Sequence, residues 1–125
     1  MIRALIWAAA LALAATVSQA EDVARIEVSE GTGAVLRGLD KTTGEVQELR
    51  LAKGETVALK WLQITLGDCR YPRDNLAGDA FAWLVIRERN AEQPIFEGWM
   101  IASSPALNAL DHPRFDVWVI RCTTE

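Results

Sequence analysis

Histidine occurs once and cysteine twice in the 125 residues of this chain, and these scarcities exclude more chemistry than any motif supplies. A zinc tetrad draws on four nitrogen or sulfur ligands, which one histidine and two cysteines do not readily assemble. There is no Cys-x-x-Cys pair to carry dithiol exchange. Basic residues are also in deficit: 13 Lys and Arg stand against 17 Asp and Glu, a net charge of −4. Phosphate backbones and anionic bilayers require a basic face, so neither nucleic acid nor an anionic membrane surface is an expected partner. No apolar run reaches the ~20 residues that a bilayer-spanning helix needs. The chain shows no internal repeat, no low-complexity tract and no long helical pattern.

What is present starts with MIRALIWAAALALAATVSQA. Arg3 is a basic leader, residues 4–17 are apolar, and Ser18-Gln19-Ala20 is a small-x-small cleavage signal, the pattern of a secretory signal peptide. Cleavage after Ala20 leaves Glu21–Glu125 with no transmembrane segment and a net charge near −5. That length fits a single domain with a modest core. Two cysteines, Cys69 and Cys122, remain, and an even count in an exported domain predicts a disulfide.

Residues 21–31 are polar without a period and read as a flexible lead-in, so the domain is expected over 32–125. Ala34–Leu39 and Glu45–Leu51 flank a hairpin loop at residues 40–44. Val57–Leu66 alternates as one half-buried strand, with Leu62, Ile64 and Leu66 on one face. Residues 67–79 form a turn-rich loop that contains Cys69. Ala80–Ile86 is apolar on both faces and is expected to be the central strand. Ile95–Ala102 is another strand. Ser104 then caps a helix of about two turns, with Pro105 first, Leu107 and Leu110 on one side and Pro113 as its stop. Arg114–Cys122 closes the chain, with Trp118, Ile120 and Cys122 on one face. The expected fold is all-β: a small antiparallel sandwich or partly closed barrel of six to seven strands with one short helix near the C-terminus.

Catalytic readings fare poorly. Ser103 or Ser104, His112 and Asp111 or Asp116 supply the residue types of a hydrolase triad, but neither serine sits in a Gly-x-Ser-x-Gly elbow and Asp111 adjoins His112. Asp68, Asp74 and Asp79 do not match a calcium loop, and Arg70 and Arg73 lie among them. No catalytic, cofactor-binding or metal-binding set is expected. Tryptophan gives the better hint. Trp61, Trp83, Trp99 and Trp118 are expected mainly in the core, with Trp99-Met100 as the exposed exception beside the Ser-Ser-Pro insert. Aromatic residues, methionine and arginine are enriched at protein interfaces. The expected interaction surface is therefore Trp99, Met100, Ser103, Ser104, Leu107, His112 and Arg114.

Three blocks, AVLRGLDKTTG (34–44), ITLGDCRYP…GDAFA (64–82) and FEGWMIASSPALNALDHPRFDVWVIRC (96–122), resemble a family of small exported proteins of Gram-negative bacteria catalogued as domain of unknown function 2155. Both cysteines fall within the family pattern. The resemblance implies a periplasmic location, no established activity, and a link to envelope or respiratory-complex assembly. The expected function is a non-catalytic periplasmic accessory or interaction module that binds another envelope protein. The alternative is a domain for small ligands or cell-wall glycan, with the tryptophans as stacking platforms and Arg70, Arg73 or Arg114 as polar anchors.

Overall fold

The computed structural model describes residues 26–125; the signal-peptide reading of residues 1–20 lies outside them. Eight strands run in chain order: β1 Val28–Glu30, β2 Gly33–Asp40, β3 Val46–Ala52, β4 Thr56–Leu59, β5 Leu62–Pro72, β6 Phe81–Glu88, β7 Phe96–Ile101 and β8 Phe115–Thr123. They form two antiparallel sheets. The larger has the order β1-β5-β6-β7, with β4 also pairing β5, and the smaller the order β3-β2-β8. Alternate residues of both sheets meet in one aliphatic core, among them Leu36, Leu62, Ile64, Leu84, Phe115 and Val119, each at most 1% exposed. This is the expected all-β class, as a sandwich rather than a closed barrel.

The expected elements differ from those found in four places. The strand predicted over Val57–Leu66 is two, because the chain reverses at Lys60-Trp61 and Leu59 pairs with Leu62. Lys60 takes a left-handed φ of 55° there, with no glycine or asparagine to announce the turn. Within the segment read as a lead-in, Val28–Glu30 adds a short strand to β5. The two-turn helix is a single 3-10 turn, Pro105–Leu107, and Ser104 makes no side-chain cap. An amphipathic helix persists only if it buries its apolar side; here Leu107 is exposed, and Leu110 reaches the core only beyond the turn.

The fourth difference involves both cysteines. Cys69 is not in a loop, since β5 continues through it to Pro72. Between Leu66 and Asp68 the register against β6 shifts by one residue at Gly67, and between Arg121 and Val119 the register against β2 shifts at Ile120. An extra residue on one strand is a β-bulge, and it reverses which face the following residues take. Leu62, Ile64 and Leu66 point inward, and after the bulge Cys69 does so too. Phe115, Val117 and Val119 point inward, and after the bulge so does Cys122. Cys122 therefore shares a face with Val119, not with Trp118 as the plain alternation predicted. The two bulges bring the cysteines together as a disulfide, with Cα atoms 5.7 Å apart. Deleting Ile120 would restore simple alternation and still leave Cys122 facing inward, so the variant is expected to oxidise normally. Thiol labelling of the purified variant checks this, and a free Cys122 would refute the role assigned to the bulge.

Tryptophan is the other surprise. None of the four described tryptophans belongs to the core. Trp61 is 37% exposed, and Trp83, Trp99 and Trp118 are half-buried. In β6 the inward positions are Ala82, Leu84 and Ile86, so their neighbours Phe81, Trp83 and Val85 take the outer face.

Candidate functional site

Two constellations stand out, and they differ in whether their polar groups are already satisfied. The first lies at one end of the sandwich, where the β2–β3 hairpin meets the corner leading into β8. Asp40 is 1% exposed. Its carboxylate accepts from the Arg114 guanidinium, Nε at 3.2 Å and Nη2 at 2.9 Å, and from the Thr42 amide and hydroxyl at 3.0 and 2.6 Å. These donors, Arg114 first and Thr42 next, hold the Asp40 carboxyl well below the usual carboxylate range, and Asp40 in turn raises Arg114. The Arg114 guanidinium also stacks on Trp61, 4.6 Å from the ring centre.

His112 belongs to the same corner, and both of its ring nitrogens are used. Nδ1 accepts the backbone N–H groups of Arg114 and Phe115, at 3.0 and 3.1 Å. The ring proton therefore sits on Nε2 and is donated to Glu88, 2.7 Å away. The His112 carbonyl accepts from Lys41 Nζ at 2.6 Å. An imidazole tied at both nitrogens has no lone pair free to take a proton from a substrate. Neither serine hydrogen-bonds to the ring; Ser103 donates through its amide and hydroxyl to Asp79, at 2.9 and 2.6 Å. Among the described residues no three His, Cys, Asp or Glu side chains converge as a metal-binding group.

The second constellation is the outer face of the larger sheet. Cross-strand register places Asp68, Trp83 and Trp99 in one row and Arg70, Phe81 and Ile101 in the next. The Trp83 and Trp99 rings meet edge to face at 5.5 Å, and the Arg70 guanidinium lies 5.2 Å from the Trp99 ring centre. Asp68 holds Arg70 at 2.9 Å. Beside Trp99 runs an open groove of about 460 Å³ bounded by Ile26, Val28, Arg70, Phe81, Trp99 and Ile101. The outer face of a half-solvated antiparallel sheet is ordinarily polar; this one presents three large aromatic rings.

The seven residues expected to form one surface are distributed among several environments. Trp99 is on the aromatic face. Met100, its neighbour in β7, points the other way and is 2% exposed, because successive strand residues alternate faces. Ser103 is engaged by Asp79, and Ser104 flanks the 3-10 turn. Leu107 projects from that turn, 74% exposed. His112 and Arg114 are in the end cluster. The insert instead covers a sheet edge: Asn108 donates its side-chain amide to the Trp99 carbonyl of β7 at 2.9 Å. A side chain at Gly98 would collide with that amide, 2.8 Å from the Cβ position. Phe81 is not among the expected site residues, and Trp83 and Arg70 are expected only in the ligand-binding alternative. The signal for Phe81 and Trp83 is the run AFAWLVI itself, whose second apolar face needs a purpose.

The fold and these clusters define a disulfide-tied antiparallel β-sandwich with one aromatic outer face. The chain belongs to the family described as "Uncharacterized protein conserved in bacteria (DUF2155)", whose model matches residues 34–122. It is also similar to the "Uncharacterized protein RP359" of Rickettsia prowazekii (strain Madrid E), at 25% identity over 108 residues, covering 84% of this chain and 70% of that protein. No solved structure matches the chain significantly.

Proposed function

We propose that this protein is a non-catalytic, exported binding module, and that it docks another envelope protein through the aromatic outer face of its larger sheet. The observation carrying this reading is the row Asp68–Trp83–Trp99 beside Arg70 and Phe81. Aromatic rings next to an arginine are the residue types that anchor interfaces, and nothing within the described fold requires them on that face. Export is supported by the buried Cys69–Cys122 disulfide, a bond that persists in oxidising compartments.

A photo-reactive residue at position 101, beside Trp99, is expected to form a discrete adduct with one envelope protein in intact cells. Trp99→Ala, which removes a central ring but touches little of the core, is expected to lower that yield about tenfold or more, as a hot-spot truncation does. An unchanged adduct in the Trp99→Ala background would remove the face from consideration. The groove is also within the roughly 300–1,000 Å³ range of small-ligand sites, which favours the glycan reading as second. Quenching of tryptophan fluorescence by peptidoglycan fragments, abolished in Trp99→Ala, would promote it above the first.

A further inference from the structure

The opposite side of the molecule, the outer face of β3-β2-β8, carries a different surface. Register pairs Val35 with Arg50 on β3 and with Arg121 on β8, and the next outward residue of β2 is Arg37. Strand spacing puts Arg50 and Arg121 roughly 10 Å apart, with Arg37 about 7 Å along the central strand from the midpoint. Val35 is fully buried yet lies outside the core cluster; it is enclosed on the outer face between its two arginine neighbours, whose aliphatic stems can cover apolar surface.

The arginines of this triangle lack a close carboxylate partner, as do Lys41, Arg87 and Arg89 elsewhere among the described residues, but these three share one sheet face. Lys53, Lys60, Arg70, Arg73 and Arg114 each have a carboxylate within 3.5 Å. Among the described residues Arg37 and Arg121 have none within 4 Å, and Arg50 has only Glu48 at 3.9 Å, with both side chains more than half exposed. An exposed pair at that distance contributes little. The chain has an excess of acidic residues, so unpaired arginines gathered on one face do not reflect a shortage of carboxylates. Arg50 and Arg121 also border a groove of about 470 Å³ that continues over Leu76 and Ala77 and is lined as well by the C-terminal Glu125. Leu76 is 39% exposed.

We infer that this face binds an acidic, partly apolar segment of a partner protein, with carboxylates on Arg37, Arg50 and Arg121 and an apolar side chain against Leu76 or Trp118. The planar guanidinium fork donates to carboxylates bidentately, and all three cations are arginine. Glu48, opposite Arg37 on β3, and Asp116, at the edge of the face on β8, oppose a continuous anionic sheet such as a lipid surface. A peptide avoids them by placing its acidic side chains only over the arginines. This surface is independent of the aromatic face, and the two together would let one small domain bridge two partners.

The test is a fluorescence-anisotropy titration of the full mature chain with a synthetic peptide of mixed glutamate and leucine, alongside its glutamine–leucine counterpart and phosphatidylglycerol vesicles. The glutamate peptide is expected to bind and to weaken several-fold between low salt and about 0.15 M salt, as exposed charges are screened. The Arg37→Gln/Arg50→Gln/Arg121→Gln variant is expected to lose about tenfold or more in affinity, and Trp99→Ala none. All three positions are exposed, so the variant should keep its disulfide and melting profile; Arg121→Gln alone, with a partial loss, serves if it does not. Equal binding by wild type and variants, equal binding of the glutamine peptide, or binding to vesicles alone would each overturn the inference. Failure of the aromatic-face reading would show instead as an unaltered photo-adduct in Trp99→Ala.

Discussion

Replacing Cys69 and Cys122 together by alanine is expected to lower the unfolding free energy by about 4 kcal/mol, the chain-entropy value for closing a loop of 53 residues. Whole domains are stable by about 5–15 kcal/mol, so the reduced protein should sit close to its unfolding threshold. Both cysteines are at most 1% exposed, and alanine leaves a small void in place of each sulfur, which adds to the loss. The bond joins β5 of the larger sheet to β8 of the smaller, so its removal also unties the two layers. Urea unfolding of the oxidised wild type against the double variant measures the difference. A shift of less than about 1 kcal/mol would mean that the sheets hold each other without the link. Because the disulfide is sealed in the core, reductant should act on the native protein only at the rate of unfolding.

The second large effect is expected at low pH, from the pair at the end of the sandwich. Asp40 is held below its ordinary value in the fold by Arg114 and Thr42. The unfolded chain, with an ordinary carboxyl near 3.9, therefore binds a proton before the folded chain does. The contribution of the pair is complete above that value and falls away as the pH drops from about 4 toward the depressed folded value. Stability should decline steeply in this range for the wild type. In Asp40→Asn it should start lower at neutral pH, because Arg114 loses its counter-charge, and should decline less steeply in acid. Melting curves at pH 7 and in the acid range provide the comparison. Parallel profiles would show that other carboxylates govern acid unfolding. The same substitution should loosen the corner at His112, whose ring and carbonyl are tied to Glu88, Lys41 and the start of β8.

Local patterning was enough to read the β2–β3 hairpin, the central position of β6, the all-β class and the pairing of the cysteines. The two cysteine misreadings have a common cause. The strand reading stops at Gly67, where a bulge breaks the alternation, so Cys69 falls in an expected loop. Alternation runs on through Ile120, where a second bulge resets it, so Cys122 is placed on the face of Trp118. Bulges are tertiary devices, and only Gly67 leaves a compositional trace. The reversal at Lys60-Trp61 is likewise imposed by packing on both sides of it. Trp99-Met100 is a different kind of error, since the period of two already separates adjacent strand residues onto opposite faces. The end cluster could not be read at all, because Asp40 and Arg114 are far apart in sequence and meet only when β2 and β8 pair.

That pairing has a consequence for the order of assembly. The larger sheet builds from neighbours in the chain, β4 with β5, β5 with β6 and β6 with β7. The β2–β3 hairpin is equally local in sequence, but the second edge of β2 is satisfied only when Gly33 finds Thr123 and Asp40 finds Phe115. Until the C-terminal strand has emerged, a hairpin of Leu, Val and Ala stands with an open edge, a species prone to pairing with the wrong chain. A chain that emerges end first during synthesis would meet that interval every time, and a holding chaperone would be most useful within it.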